Sequence, residues 1–334
     1  MNPLRSALPA LAPARLRVDY VHGEDPARLL QGADVLAVFG FGPEAATHAD
    51  PRYLRVPLQP YRQAPCEVWR AHAPVAHGRD GDIAWASDGQ LLFGAIELDE
   101  SGSDIETAAA EIYRQLTRFV GGSATPHLLR IWNYLDAITL GDGDTERYRH
   151  FCVGRARGLG DFDPLRLPAA TAIGRCDAAR TLQVYWLAAA QPGTPVENPR
   201  QVSAYRYPRE YGPQPPSFAR AMLPPAGSRM PLLLSGTAAV VGHASRHAGQ
   251  VIAQIDETFA NFDALLESAR ATRPDLPARF GAESHLKVYV RDRDELPAVA
   301  DALQARLGEA VPHIIVHAAI CRRELAVEID GVHG

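Results

Sequence analysis

The chain writes one pattern of elements twice, and this constrains its fold more than any single motif. In the second half, residues 230–241 form an apolar run that ends in a Gly turn, as a buried strand does. Residues 245–271 carry Val251, Ile252, Ile255, Phe259, Phe262, Leu265 and Leu266 on one stripe, which predicts a helix. A strand over 286–290 follows, then a helix over 294–307 with Leu296, Val299, Leu303 and Leu307 inward. Strands over 312–321 and 325–332 close the unit. The first half repeats this order: strand 90–98, helix 104–119, strand 127–138, helix 145–158, and strands 169–175 and 181–188. Two such units predict an α+β fold with two mixed sheets, each covered by its two helices on one face. Two further strand-like runs, 16–21 and 35–40, precede the repeats. The stretch 191–199, rich in Pro and Gly, reads as a connection between domains.

The last strand alternates strictly. Leu325, Val327 and Ile329 share one face; Glu324, Glu328 and Asp330 share the other with Ala326. Three carboxylates on one short strand are tolerated at a water-facing edge, or they push one carboxyl toward its protonated form. Laying 182–186 over 325–329 puts Tyr185 where the second copy has Glu328. A carboxylate present in only one copy points to a specialised role.

Composition removes several classes. With 334 residues there is room for two domains. A net charge of -5 and a pI near 6.2 argue against nucleic acid as the main partner. No apolar run approaches the roughly 20 residues of a membrane span, and prolines and arginines interrupt any signal-peptide core near the start. The expectation is a cytoplasmic protein with its four cysteines, Cys66, Cys152, Cys176 and Cys321, as free thiols. Gly40 and Gly42 are followed by Pro43, which spoils a dinucleotide loop. The acidic run 142–146 reads as a turn and helix N-cap rather than a calcium loop. His243 and His247, and His313 and His317, lack a third ligand, so no metal is expected.

Two Tyr- and Arg-rich segments remain. Residues 201–222 hold too much Pro for a helix or central strand and too much Tyr and Arg for a linker. Tyr205, Tyr207, Tyr211 and Arg220 there can supply hydroxyls and a bidentate guanidinium to a small carboxylate; the alternative is an extended arm that packs its aromatics on the surface. On the helix after residue 145, Tyr148, Phe151, Cys152 and Arg155 share a face. Arg155 either snorkels to solvent or enters a cleft and binds an anion.

Three stretches, ERYRHFCVGR (146–155), VSAYRYPREYGPQPPSFARA (202–221) and SGTAAVVGH (235–243), resemble the chorismatase family. GPQPPSFARA (212–221), LSGTA (234–238) and VEIDGV (327–332) also resemble, in the same order, the landmarks of the RidA/YjgF fold, which the small trimeric chorismate mutases share. The resemblance is nearest to the branch that forms 3- and 4-hydroxybenzoate plus pyruvate from chorismate, as aromatic precursors for ubiquinone or aryl-polyene pigment. It implies a division into residues 1–200, with a divergent first RidA-like repeat, and 201–334, with the second, and a site at their junction. It implies substrate-binding roles for Tyr148, Arg155, Tyr205 and Arg220. Glu328 matches the catalytic acid. Cys321 matches a product-determining position where cysteine goes with hydroxybenzoate; a second such position lies in or near 234–238. Neutral Glu328 would protonate the enolpyruvyl methylene, with Glu324 as a neighbour that keeps it protonated. No cofactor is implied. A monomer is expected, since two repeats in one chain build the RidA-type interface internally. The competing expectations are a hydrolytic chorismatase and a non-catalytic small-molecule sensor.

Overall fold

The computed structural model describes residues 13–334. It opens with β1 (Arg17–Val21), α1 (Pro26–Leu29), β2 (Val35–Phe41), β3 (Tyr53–Val56), the two-residue β4 (Gln59–Pro60) and β5 (Cys66–Arg70). Next come β6 (Ala76–Asp80), β7 (Ile83–Ser87), β8 (Leu91–Asp99), α2 (Ile105–Gly121), β9 (His127–Asp136), α3 (Arg147–Leu159), β10 (Ala169–Arg175) and β11 (Thr181–Ala189). The second half has β12 (Thr194–Val196), β13 (Ala221–Leu223), β14 (Leu232–Ala238), the short hairpin β15 (Val240–Val241) and β16 (Ala244–Ser245), and α4 (Val251–Thr272). It closes with β17 (His285–Val290), α5 (Leu296–Leu307), β18 (His313–His317) and β19 (Val327–His333).

The mixed α+β class holds. One large sheet runs β10-β9-β11-β8-β7-β6 and the other β12-β13-β14-β19-β17-β18-β4. Within them β8-β11-β9-β10 and β14-β19-β17-β18 have the same order. In each, the last two strands of that order pair in parallel and the rest antiparallel. The helical stripes do what their period dictates. Ile105, Ala108, Ile112 and Leu116 of α2 pack with Leu182, Val184 and Trp186 of β11. Ile255, Phe259, Phe262 and Leu266 of α4 pack with Val327 and Ile329 of β19. Asp104 caps α2 by accepting the Thr107 N–H at 2.7 Å.

The opposite faces of both sheets meet a third, β1-β5-β2-β3, around one aromatic core. Phe39 and Trp69 of the small sheet reach Phe93 and Trp132 of the first large sheet at 5.7 and 5.3 Å between ring centres.

Several boundaries differ from the sequence reading. The run 230–241 breaks after Ala238 into the β15–β16 hairpin, so α4 starts at Val251 rather than near 245. The last strand starts at Val327, which leaves Glu324 in an exposed turn. The supposed connection 191–199 contains β12, which joins the second large sheet, as does β4 from the N-terminal segment. Strand pairing therefore crosses residue 200. The hairpin β6–β7 and the strands β3 and β5 had no clear period and were not expected. No helix among the described residues is long and apolar enough to cross a membrane.

Candidate active site

A cavity of about 370 Å³ lies where the edge of the first large sheet meets the second. Its size suits a small ligand. Tyr148 and Arg155 of α3, Thr171 of β10, Arg220 next to β13, Gly236 of β14, Cys321 and Glu328 of β19 all line it. Ser235 fastens the junction: its hydroxyl donates to the Ala219 carbonyl at 2.5 Å and accepts the Ala170 N–H at 2.9 Å.

Alternation along β19 fixes Glu328. Val327 and Ile329 face the helices, so Glu328 and Asp330 face inward. Opposite them, the pairing of β14 slips between Leu234 and Thr237, a bulge that contains Ser235 and Gly236. A Cβ at Gly236 would stand 1.9 Å from Glu328 Oε1, so only glycine leaves room for the carboxyl. Glu328 is 5% exposed. Burial raises its carboxyl from the ordinary 4.5 to about 8, Asp330 adds repulsion, and Arg130, Arg220 and Arg322 oppose the shift. Glu324 is not the neighbour responsible. It stands at the mouth and accepts a 2.7 Å hydrogen bond from Ser245.

The arginines divide into two groups. At the rim, Arg323 pairs with Asp142 at 3.0 Å and Arg209 with Asp144 at 2.5 Å, tying the flanking segments across the mouth. Inside, Arg155 and Arg220 are 3% and 4% exposed, and neither has an ion-pair partner among the described residues. Arg155 lies 5.2 Å from the centre of the Tyr113 ring, with Nε and Nη2 lacking any hydrogen bond. Arg220 donates through Nη2 to Val202 O at 2.9 Å and to the Tyr207 hydroxyl at 2.6 Å, and its Nε is free. Buried guanidiniums without counter-ions are costly unless an anion completes them.

Cys321 and Tyr148 complete the wall as neutral groups. Burial pushes the Cys321 thiol far up, with Glu328 adding to it. Burial also lifts the Tyr148 hydroxyl well above 10, helped by Cys152 and Cys321.

Tyr205 is not part of the cavity wall. It sits in the 3-10 turn Ala204–Arg206, with the Arg206 guanidinium 5.7 Å from its ring centre. Tyr207, just past that turn, lines the cavity and meets Arg220. Tyr185 lies on the inner face of β11, as Glu328 does on β19, but it stacks on Trp132 at 4.7 Å in the three-sheet core. Thr171, Gly236, Arg322 and Asp330 complete the neighbourhood. The acidic face of the last strand signalled Asp330; nothing in the sequence signalled Thr171.

The paired histidines go elsewhere. His243 Nδ1 lies 3.2 Å from the Tyr211 hydroxyl and His247 Nε2 lies 3.0 Å from Glu257. Among the described residues no group of three side chains has the makings of a metal site. The run 142–146 forms a capped 3-10 turn over Gly143–Thr145, and α3 starts two residues later, at Arg147.

Comparison with known proteins agrees with this architecture. Residues 67–188 match the family described as "Chorismatase FkbO/Hyg5-like, N-terminal". A chorismatase of Streptomyces hygroscopicus is 39% identical over 276 residues, 80% of this chain and 78% of that protein. A 3-hydroxybenzoate synthase of the same species is 33% identical over 279 residues, 80% of each chain. A chorismatase crystal structure is 32% identical and superposes with a TM-score of 0.83 over 96% of this chain and 98% of its own. On identity, coverage and superposition together, the chain belongs to the chorismatase family.

Proposed function

We propose that this enzyme cleaves chorismate to 3-hydroxybenzoate and 4-hydroxybenzoate plus pyruvate. One observation carries the reading: a buried, neutral Glu328 faces a cavity whose two inner guanidiniums lack counter-ions. Chorismate is a dianion with a ring carboxylate and an enolpyruvyl carboxylate. Arg155 and Arg220 take one each, Tyr148 and Tyr207 add hydroxyls, and Tyr205 takes no direct part. Glu328 then gives its proton to the methylene carbon of the enolpyruvyl ether. The resulting oxocarbenium ion collapses as pyruvate leaves and the ring becomes aromatic. For 4-hydroxybenzoate the C3–O bond breaks, the ether oxygen leaves as the keto oxygen of pyruvate, and the ring loses its C4 hydrogen as a proton. For 3-hydroxybenzoate the C4 hydroxyl adds to the oxocarbenium carbon, and the C4–O bond breaks with loss of the C3 hydrogen as a proton. The hemiketal left on the C3 oxygen then splits into phenol and pyruvate, which carries the former C4 oxygen. In both cases hydroxybenzoic acid and pyruvic acid sum to the atoms of chorismic acid, with no net water. A positioned acid is worth ~10²–10⁴-fold here. The step itself needs no metal or organic cofactor.

Cys321 supports the lyase outcome. A neutral thiol is no base, so nothing at that position activates water against the cation. A second reading is hydrolysis to a dihydroxycyclohexadiene carboxylate: the two more similar relatives, at 39% and 36% identity, are called chorismatase, a name that does not specify the products. Chromatography of a chorismate digest separates the readings. Hydroxybenzoates with equimolar pyruvate are expected. The diene acid in their place rejects the lyase, and untouched chorismate rejects both in favour of a sensor.

We also read the two sheet-and-helix units as RidA/YjgF-like repeats. Their identical strand order supports this, with the seam falling after β11 rather than at residue 200.

A further inference from the structure

Glu328 and Asp330 share the inner face of β19, yet their surroundings are opposite. Asp330 is fully buried, and its Oδ2 accepts four hydrogen bonds: Thr171 Oγ1 at 2.7 Å, the Tyr289 hydroxyl at 2.9 Å, Trp132 Nε1 at 3.0 Å and Arg130 Nη2 at 3.1 Å. Glu328 accepts none among the described residues. Measured from the point where a Cβ at Gly236 would sit, Thr171 Oγ1 is 3.3 Å away and Glu328 Oε1 is 1.9 Å away. The two oxygens therefore lie at most about 5.2 Å apart on the cavity floor. The Thr171 hydroxyl is nevertheless committed, because it donates to Asp330 and accepts from Arg130 Nη2 at 2.5 Å.

We infer that Asp330 is a positioning residue for catalysis: by holding Arg130 and the Thr171 hydroxyl on its own carboxylate, it denies Glu328 both a counter-ion and a donor and keeps it in the proton-donating form. This rests on Glu328 being the acid, as proposed above.

The other groups around the two carboxyls leave this role to Asp330. Arg220 is turned toward Tyr207 and the Val202 carbonyl. Arg322 donates to the His243 carbonyl and to Ser245, and its guanidinium lies 4.2 Å from the Tyr211 ring centre. Tyr148 and Cys321 stay neutral. On the far side of Asp330, Lys287 pairs with Glu67 at 3.1 Å. Tyr134, Tyr185 and Tyr289 are buried hydroxyls pushed upward by desolvation. Arg130 is thus a buried cation whose one carboxylate partner among the described residues is Asp330, 3.1 Å away, with both side chains fully enclosed. Burial gives such an interaction its reach, because little water screens it.

The test reads Glu328 directly. In substrate-free protein, the infrared carbonyl band that disappears in Glu328→Gln reports protonated Glu328. In Asp330→Asn, Arg130 and Thr171 are released toward Glu328, so the band should titrate about one pH unit or more lower, and the alkaline limb of kcat should move with it. The charge-balanced double variant Arg130→Gln/Asp330→Asn should bring both back toward wild type. Should Asp330→Asn fail to fold, Arg130→Gln alone decides, with band and limb expected to move upward. A fall in kcat with band and limb unmoved means that Asp330 is only structural and overturns the inference. Wild-type turnover in Glu328→Gln overturns instead the acid assignment beneath it.

Discussion

Burying Glu328 makes the fold less stable at neutral pH, a cost that the proposed acid role would account for. Its value of about 8 lies above the ordinary 4.5, so between these pH values the folded chain holds a proton that the unfolded chain has released. Stability therefore falls as pH rises through that window, by ~3 kcal/mol at pH 7 relative to acid. Glu328→Gln should remove this cost. We predict a higher melting temperature than wild type at neutral pH, no difference below pH of about 4.5, and turnover lower by ~10²–10⁴-fold. With neutral Glu328 as the proposed acid, kcat should fall as pH rises through about 8. A profile flat well beyond that point would contradict the assignment. At this scale the sequence was partly readable. Alternation put Glu324, Glu328 and Asp330 on one face, and the repeat register and the family resemblance pointed to Glu328 among them. Tyr205 and Tyr207 could not be told apart, because a 3-10 turn decides which ring faces the cavity and no period announces such a turn.

Two elements carry the site, and each depends on a close approach. A Cβ at Gly154 would stand 2.0 Å from Glu106 O, and one at Gly158 would stand 2.6 Å from Ala110 O. Helix α3 thus lies backbone to backbone on α2 through two glycines one turn apart. This contact sets how deep Tyr148 and Arg155 sit. Gly154→Ala should push the helices apart, costing ~1–3 kcal/mol by chemical denaturation. It should also raise KM for the dianionic substrate as Arg155 retreats. An unchanged KM would show that α3 seats its arginine without this contact. Periodicity made both helices legible to within a few residues, because each buries a regular stripe. The bulge of β14 at Ser235–Gly236 was not legible, because it arises from pairing with β19, almost a hundred residues away.

At the scale of the whole molecule, buried charges join the three sheets. Lys287 of β17 meets Glu67 of β5 at 3.1 Å, 220 residues apart in sequence, and Trp69 Nε1 donates to the same carboxylate at 2.7 Å. Removing one partner strands the other: Lys287→Met should cost ~3–5 kcal/mol, and Glu67→Gln/Lys287→Met should recover most of it. Equal losses in single and double variants would mean the pair does not couple the sheets. The inner faces of all three sheets are spent on this shared core. On that ground we expect a monomer, with a solution mass by sedimentation near 36.2 kDa; a trimer mass would refute it.

Sequence by itself determined the repeated order of strands and helices, the inward face of each, and the placing of Glu328 on one face of the last strand. These follow from side-chain periods that one element sets alone. Tertiary structure alone decided that the N-terminal strands form a third wall, that Asp330 rather than Glu324 neighbours the acid, and that Arg155 and Arg220 are left unpaired in one cavity. Those outcomes depend on which distant segments share a buried space, and burial, not spacing along the chain, sets the strength of a charge.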